Sequence, residues 1–143
     1  MHKSTKISIF VLRVLLGSFF FYAGFSKIID SSWSAAGLLQ NAQTFPELYA
    51  WFAQPANIAW VNLLNEWGLT LIGLSLIFGF FTRTASYAGI LLMILYYFPS
   101  LSFPYAGEHA YIVDDHIIYI AVFLLLIKTK AGHLWGLDGR RGH

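Results

Sequence analysis

Cysteine is missing altogether from the 143 residues. That excludes a disulfide framework, a thiolate metal site and any thiol relay within the chain. Charge is scarce too: Asp, Glu, Lys and Arg make up 11% of the sequence, where soluble domains carry roughly 25%. The net charge is only +2, and no basic stripe of the kind that binds nucleic acid is present. Neither HxxxH nor ExxH spacing occurs, so no metal site is expected, and no glycine-rich loop is set out to cradle phosphate. What fills the sequence is apolar: 57% of the residues, with a mean hydropathy of +0.61. A body this small has too much surface to hide that content from water. Its solvent must be lipid.

The expected fold is therefore all-α: an integral membrane four-helix bundle forming a single domain over residues 1–143. The first apolar run, residues 7–29, is broken only by Arg13 and Lys27. A crossing needs about 20 residues, whereas a signal peptide has a shorter core and a small-residue cleavage site. This run reads as a span. The second, residues 58–81, contains Glu66, and the third, residues 85–103, stops at Pro104. The fourth is short. Residues 117–127 would cover only about 17 Å at 1.5 Å per residue, against a hydrocarbon core of about 30 Å. Either the span starts near Tyr111 and runs over about 111–128, or the bilayer thins there. Both alternatives draw Asp115 and His116 below the outer surface.

Lys3, Lys6, Arg83, Lys128, Lys130, Arg140 and Arg141 all fall at one set of span ends. The opposite loops hold Asp30, Glu47, Glu108, Asp114 and Asp115 without a Lys or Arg. The positive-inside rule then puts both termini on the cytoplasmic side of the cell (inner) membrane. Residues 30–57 are long for a connector and rich in aromatics. Ser31 or Ser32, and then Thr44, are placed to cap short helices, the second starting near Pro46 with Leu48, Trp51 and Phe52 on one side. An interfacial helical segment is expected here, either as a plain aromatic belt or as a lid over a site opening sideways into lipid.

Ionisable groups inside a span are costly and point to function. At 100° per residue, Arg13, Gly17, Phe20, Gly24 and Lys27 share an arc of about 80°. The glycines permit close helix approach, so this face is expected to point inward. Asn62, Glu66, Thr70 and Gly73 form a matching stripe on span two. Depth arithmetic puts Arg13 at about 9 Å from the cytoplasmic ends, Glu66 at about 24 Å and Lys27 at about 30 Å. A Lys27–Glu66 bridge is thus expected, while Arg13 is expected to snorkel to the inner headgroups. Tyr22, Lys27, Glu66, Asp115 and His116 form the candidate cluster. Tyr96 and Tyr97 are assigned to packing. Only one histidine, His116, lies inside a span, which excludes a bis-histidine haem.

Three segments in order, residues 13–17 (RVLLG) with 23–27 (AGFSK), residues 66–73 (EWGLTLIG) with 79–85 (GFFTRTA), and residues 131–138 (AGHLWGLD), resemble the DoxX family of four-helix membrane proteins. The family's tail carries a basic residue where His133 stands. The resemblance implies a membrane subunit of a thiosulfate:quinone oxidoreductase, or alternatively a non-catalytic assembly or packing subunit; distant relatives serve as assembly factors or cargo receptors. For a redox subunit, Lys27, Tyr22 and Trp67 are the candidate quinone-binding residues. Glu66, Asp115 and His116 are the candidate proton-handling residues. Arg13, Gly17, Gly24 and Gly73 take structural roles. No covalently bound cofactor is expected, and the partners are lipid, other membrane subunits and quinone. A transporter or channel is disfavoured, because no pair of broken helices marks a transport site.

Overall fold

The computed structural model describes residues 1–141. Helix α1 (Lys3–Ile29) is followed by two short helices, α2 (Ala36–Gln40) and α3 (Pro46–Phe52). Then come α4 (Ile58–Phe78), α5 (Thr82–Tyr97), a small hairpin of β1 (Tyr105–Gly107) and β2 (Ala110–Tyr111), and α6 (Asp115–Lys128). Short 3₁₀ turns at Ala131–His133 and Leu137–Arg140 end the described chain. Helix α1 packs along α4, α4 on α5 and α5 on α6. Phe20, Leu69, Leu76, Met93, Phe123 and Leu126 meet in the shared core.

Helices α1 and α4 are each long and apolar enough to cross a membrane. Helices α5 and α6, with 16 and 14 residues, are shorter. The outward faces are apolar, with Leu15, Phe19, Leu63, Leu71, Leu91 and Leu124 all exposed, while Arg13 is wholly buried. A helix in water shows the reverse distribution; lipid accounts for this one.

The tightest contact is between α1 and α4. A Cβ on Gly73 would lie 2.3 Å from the Phe21 amide nitrogen, and one on Gly24 would lie 2.4 Å from that of Thr70. On Gly17 it would come within 2.8 Å of Leu76 Cβ. Backbones this close exclude any side chain between them, which is how small residues let apolar helices gain dispersion contact where no hydrophobic effect drives them together.

Several element ends differ from the sequence expectation, each for a local reason. Helix α4 stops at Phe78 because Gly79 adopts φ +65°, and the Phe80 amide turns back to Ser75 O at 2.9 Å. Helix α5 ends at Tyr97 instead of continuing to Phe103: Pro99 has no N–H to give and the chain tightens into a 3₁₀ turn over Phe98–Ser100. Helix α6 starts at Asp115, not near Tyr111, which lies in β2. The hairpin is a departure from the purely helical expectation. Ser31, Ser32 and Thr44 cap nothing. Ala35 and Phe45 stand at those positions, and the Thr44 hydroxyl donates to Leu101 O at 2.7 Å. Within α3 it is Tyr49 that is buried, whereas Leu48 and Trp51 are exposed.

Arg13 does not snorkel. The tail beyond α6 folds back beneath it, and its Nη1 donates to Ala131 O and, at 3.0 Å, to Leu134 O. Phe10 presents its ring 5.2 Å from the guanidinium. Gly79 and Gly136 make room, since a Cβ on either would stand 2.9 Å from Arg13 Nη1. Asp138 of the same tail reaches α5: its carboxylate accepts the Phe81 amide at 2.7 Å and the Thr82 amide at 2.9 Å, and its own amide donates to Gly79 O at 2.8 Å. It thereby caps the start of a helix whose own N-cap residue, Phe81, supplies no side-chain bond.

The α1–α4 contact makes a sharp prediction. Gly73→Ala forces backbone apart and should lower stability by about 1–3 kcal/mol in reversible unfolding from mixed micelles. Gly68→Ala, where the nearest atom to a Cβ is Leu92 Cδ1 at 3.5 Å, should be neutral or stabilising by up to about 1 kcal/mol. Equal losses from both would contradict the packing described.

Candidate functional site: paired clefts beneath the aromatic loop

Two adjoining clefts of about 260 and 200 Å³ share part of their lining, and the larger opens beneath the connection between α1 and α4. Lys27, Tyr96 and His116 line both of them. Trp33, Leu38 and Leu39 roof the larger, with Asn65 in its wall; Phe20, Leu69, Tyr119 and Asp115 enclose the smaller. The loop thus covers a cleft and does not merely belt the fold.

Lys27 sits in the last turn of α1, and its Nζ lies 4.8 Å from the Trp33 ring centroid and 5.8 Å from that of Tyr96. Both distances fall in the cation–π range. Trp33 is placed by a turn at the end of α1. The Ser32 hydroxyl and amide donate to the Asp30 carboxylate at 2.6 and 3.0 Å, and the Trp33 amide donates to Asp30 O at 3.1 Å. The Ser32 hydroxyl, and after it the amide, holds the Asp30 carboxyl below the ordinary carboxylate range. Asn62 accepts the Ala35 amide at 2.9 Å and Tyr49 donates to Leu95 O at 2.7 Å, which pins the roof to α4 and α5.

Opposite the lysine, Asn65 is held by its own helix, Nδ2 donating to Val61 O at 2.8 Å, and its Oδ1 accepts the Tyr96 hydroxyl. The Tyr96 ring meets His116 edge-on at 6.2 Å. His116 is positioned by Asp114, the N-cap of α6. One carboxylate oxygen of Asp114 accepts the His116 and Ile117 amides at 2.9 and 3.3 Å, and the other lies 2.7 Å from His116 Nδ1. With Nδ1 committed to the carboxylate, Nε2 is the ring nitrogen left to receive or deliver a proton.

Of the site residues expected from sequence, Lys27, His116 and Asp115 come together. Tyr22 and Trp67 do not: they are 74% and 48% exposed on outward faces, and neither lines a cleft. Glu66 lines neither cleft. The ion pair expected between it and Lys27 does not form, since the sole salt bridge among the described residues joins His116 to Asp114. The cause is rotational. The Glu66–Thr70–Gly73 stripe packs its backbone against α1, with Glu66 O only 2.7 Å from a Cβ placed on Gly24. The face of α4 that looks into the cleft is set one residue back, at Asn65 and Leu69.

Asn65, Asp114 and Tyr96 were not singled out from sequence as site residues. Asp114 carried a readable signal, an acidic residue immediately before an apolar helical run. An amide inside a span was another. Replacing Asp114 by Ala should cost about 0.5–2 kcal/mol through the lost cap, and Asp115→Ala, which removes no cap, within about 0.5 kcal/mol. Unfolding midpoints of the two variants decide between the neighbouring carboxylates.

A family model described as DoxX matches residues 8–100. Lys27, Asn65 and Tyr96 fall inside that stretch, while Asp114 and His116 lie beyond it. No curated protein and no solved structure matches the chain. Most of the chain, including the α1–α4 pair and its glycine contact, is covered by the match: this is a membrane protein of the DoxX family.

Proposed function

We propose that the chain is a four-span subunit of a membrane oxidoreductase complex of the thiosulfate:quinone oxidoreductase kind, and that its paired clefts hold a quinone headgroup. In this reading α1, α4, α5 and α6 all cross the inner membrane as a bundle, both termini are cytoplasmic, and the clefts lie in the outer half. The shortness of α5 and α6 is met by local thinning of the bilayer, which brings the clefts within reach of both lipid and the outer aqueous phase.

The observation that carries the reading is the convergence of Lys27, Tyr96 and His116 on both clefts, the larger of them roofed by Trp33, Leu38 and Leu39. The donor set suits a flat ring with carbonyl acceptors at opposite edges: an ammonium with three N–H groups, an imidazole nitrogen, and aromatic faces beside them. When bound, a quinone supplies two-electron, two-proton redox chemistry. The residues of the chain supply the rest. Lys27 donates a charge-assisted hydrogen bond. Asn65 fixes the Tyr96 ring through its hydroxyl. His116, oriented by Asp114, moves a proton at Nε2, and Asp115 at the exposed start of α6 exchanges protons with water. Without cysteine the chain performs no sulfur chemistry of its own, so a partner subunit brings the electrons.

The test is direct. Protein purified in mild detergent is extracted and its quinone measured per mole of protein. The wild type is expected to retain quinone. Lys27→Met and His116→Ala, eluting as folded protein, are expected to lose it by about tenfold or more, the worth of a hydrogen bond to a charged group. Quinone absent from the wild type, with other subunits co-purifying, would replace this reading by that of an assembly subunit.

A further inference from the structure

At the opposite end of the molecule lies a cavity of about 490 Å³ that the redox reading does not use. Arg83, Lys128, Lys130 and His133 line it together with Tyr87, Leu126 and Ile127. A neighbouring cavity of about 410 Å³ shares Arg83 and His133 and adds Arg141. None of the lysines and arginines among them has an acidic partner within ion-pair distance among the described residues. Asp138, the single acid in the lining, already accepts two backbone amides. The Thr82 hydroxyl, in the cavity wall, is buried and has no hydrogen-bond partner. Lys130 holds φ +49°, a left-handed conformation in which glycine would sit without strain.

Unpaired cations around a polar hollow, bordered by apolar side chains of α5 and α6, match one ligand chemistry: a phosphate group at the membrane surface. We infer that this cavity binds the phosphate of an anionic phospholipid, with Arg83, Lys128 and Lys130 as the phosphate-binding residues and the acyl chains lying along α5 and α6. Basic pockets between spanning helices bind such headgroups, and the arginine fork suits phosphate oxygens. The inference rests on α5 and α6 lying in the membrane. It is independent of the quinone assignment, whose residues lie at the far end.

Native mass spectrometry of the full chain in mild detergent, titrated with phosphatidylglycerol or phosphatidylcholine, reads the affinity of each lipid directly. Wild type should bind phosphatidylglycerol about tenfold or more tightly over phosphatidylcholine, from several near-surface cations acting together. The variant R83Q/K128Q/K130Q should lose that preference while keeping its quinone content, and the charge-conserving R83K/K128R/K130R should keep both. Millimolar inorganic phosphate that fails to displace phosphatidylglycerol supports the lipid as the source. Displacement at equal affinity would overturn the lipid in favour of free phosphate. No preference in the wild type, or a preference that survives the triple glutamine variant, would overturn the site itself.

Discussion

A guanidinium buried in an apolar protein that is itself surrounded by lipid must find its partners within the chain, because neither water nor its own reach can supply them. Arg13 meets that demand in part: Nη1 donates to the carbonyls of Ala131 and Leu134, while Nε and Nη2 are buried without a hydrogen-bond partner, and the two bonds tie α1 to a tail that begins only after α6. The same tail sends Asp138 to cap α5. One buried charge and one capping carboxylate thus join the first helix, the α4–α5 turn and the last helix at a single end. Taking Asp138 away would leave the part-buried Thr82 amide without its partner, which is costlier than never having placed it there. The glycines at 79, 132 and 136 follow from this arrangement, since backbone must pass directly against the guanidinium and the carboxylate.

With one end closed by backbone contacts, the other is free to be open. Helices α5 and α6 are too short to reach as far as α1, and the space they leave is roofed by the aromatic connection instead of being filled. Polar side chains gather there because each has its own support: Lys27 from the Trp33 and Tyr96 rings, Asn65 from Val61 O, His116 from the cap of α6. A site built from such separately supported groups keeps its geometry without a dense core beneath it.

How much of this was legible in the sequence depends on what each residue answers to. The inward face of α1 followed from helical periodicity, since Arg13, Gly17, Phe20 and Gly24 are all buried on it. The long apolar helices and the helical segments between α1 and α4 followed from composition and spacing. Rotation of one helix against its neighbours did not. The stripe on α4 pointed to α1 and not to the cleft, a turn of about 100° that one residue's shift produces, and this misplaced Glu66 and hid Asn65. Arg13 was sent to the headgroups because a folded-back tail cannot be seen in hydropathy. Tyr22 and Trp67 were drawn in by residue type, yet an aromatic in a span has lipid as well as a site to face. The helix ends at Tyr97 and Asp115 were set by Pro99 and Asp114, two local signals that outweighed the longer apolar runs around them.

The closure at the basic end is tested most directly by hydrogen exchange in wild type and Arg13→Met, followed peptide by peptide. If the guanidinium organises that end, the variant loses protection at the Phe81 and Thr82 amides and across residues 131–138, while α4 and the residues around Asn65 and His116 exchange as before. Unchanged protection in the tail, or a loss spread evenly over all the helices, would contradict the account.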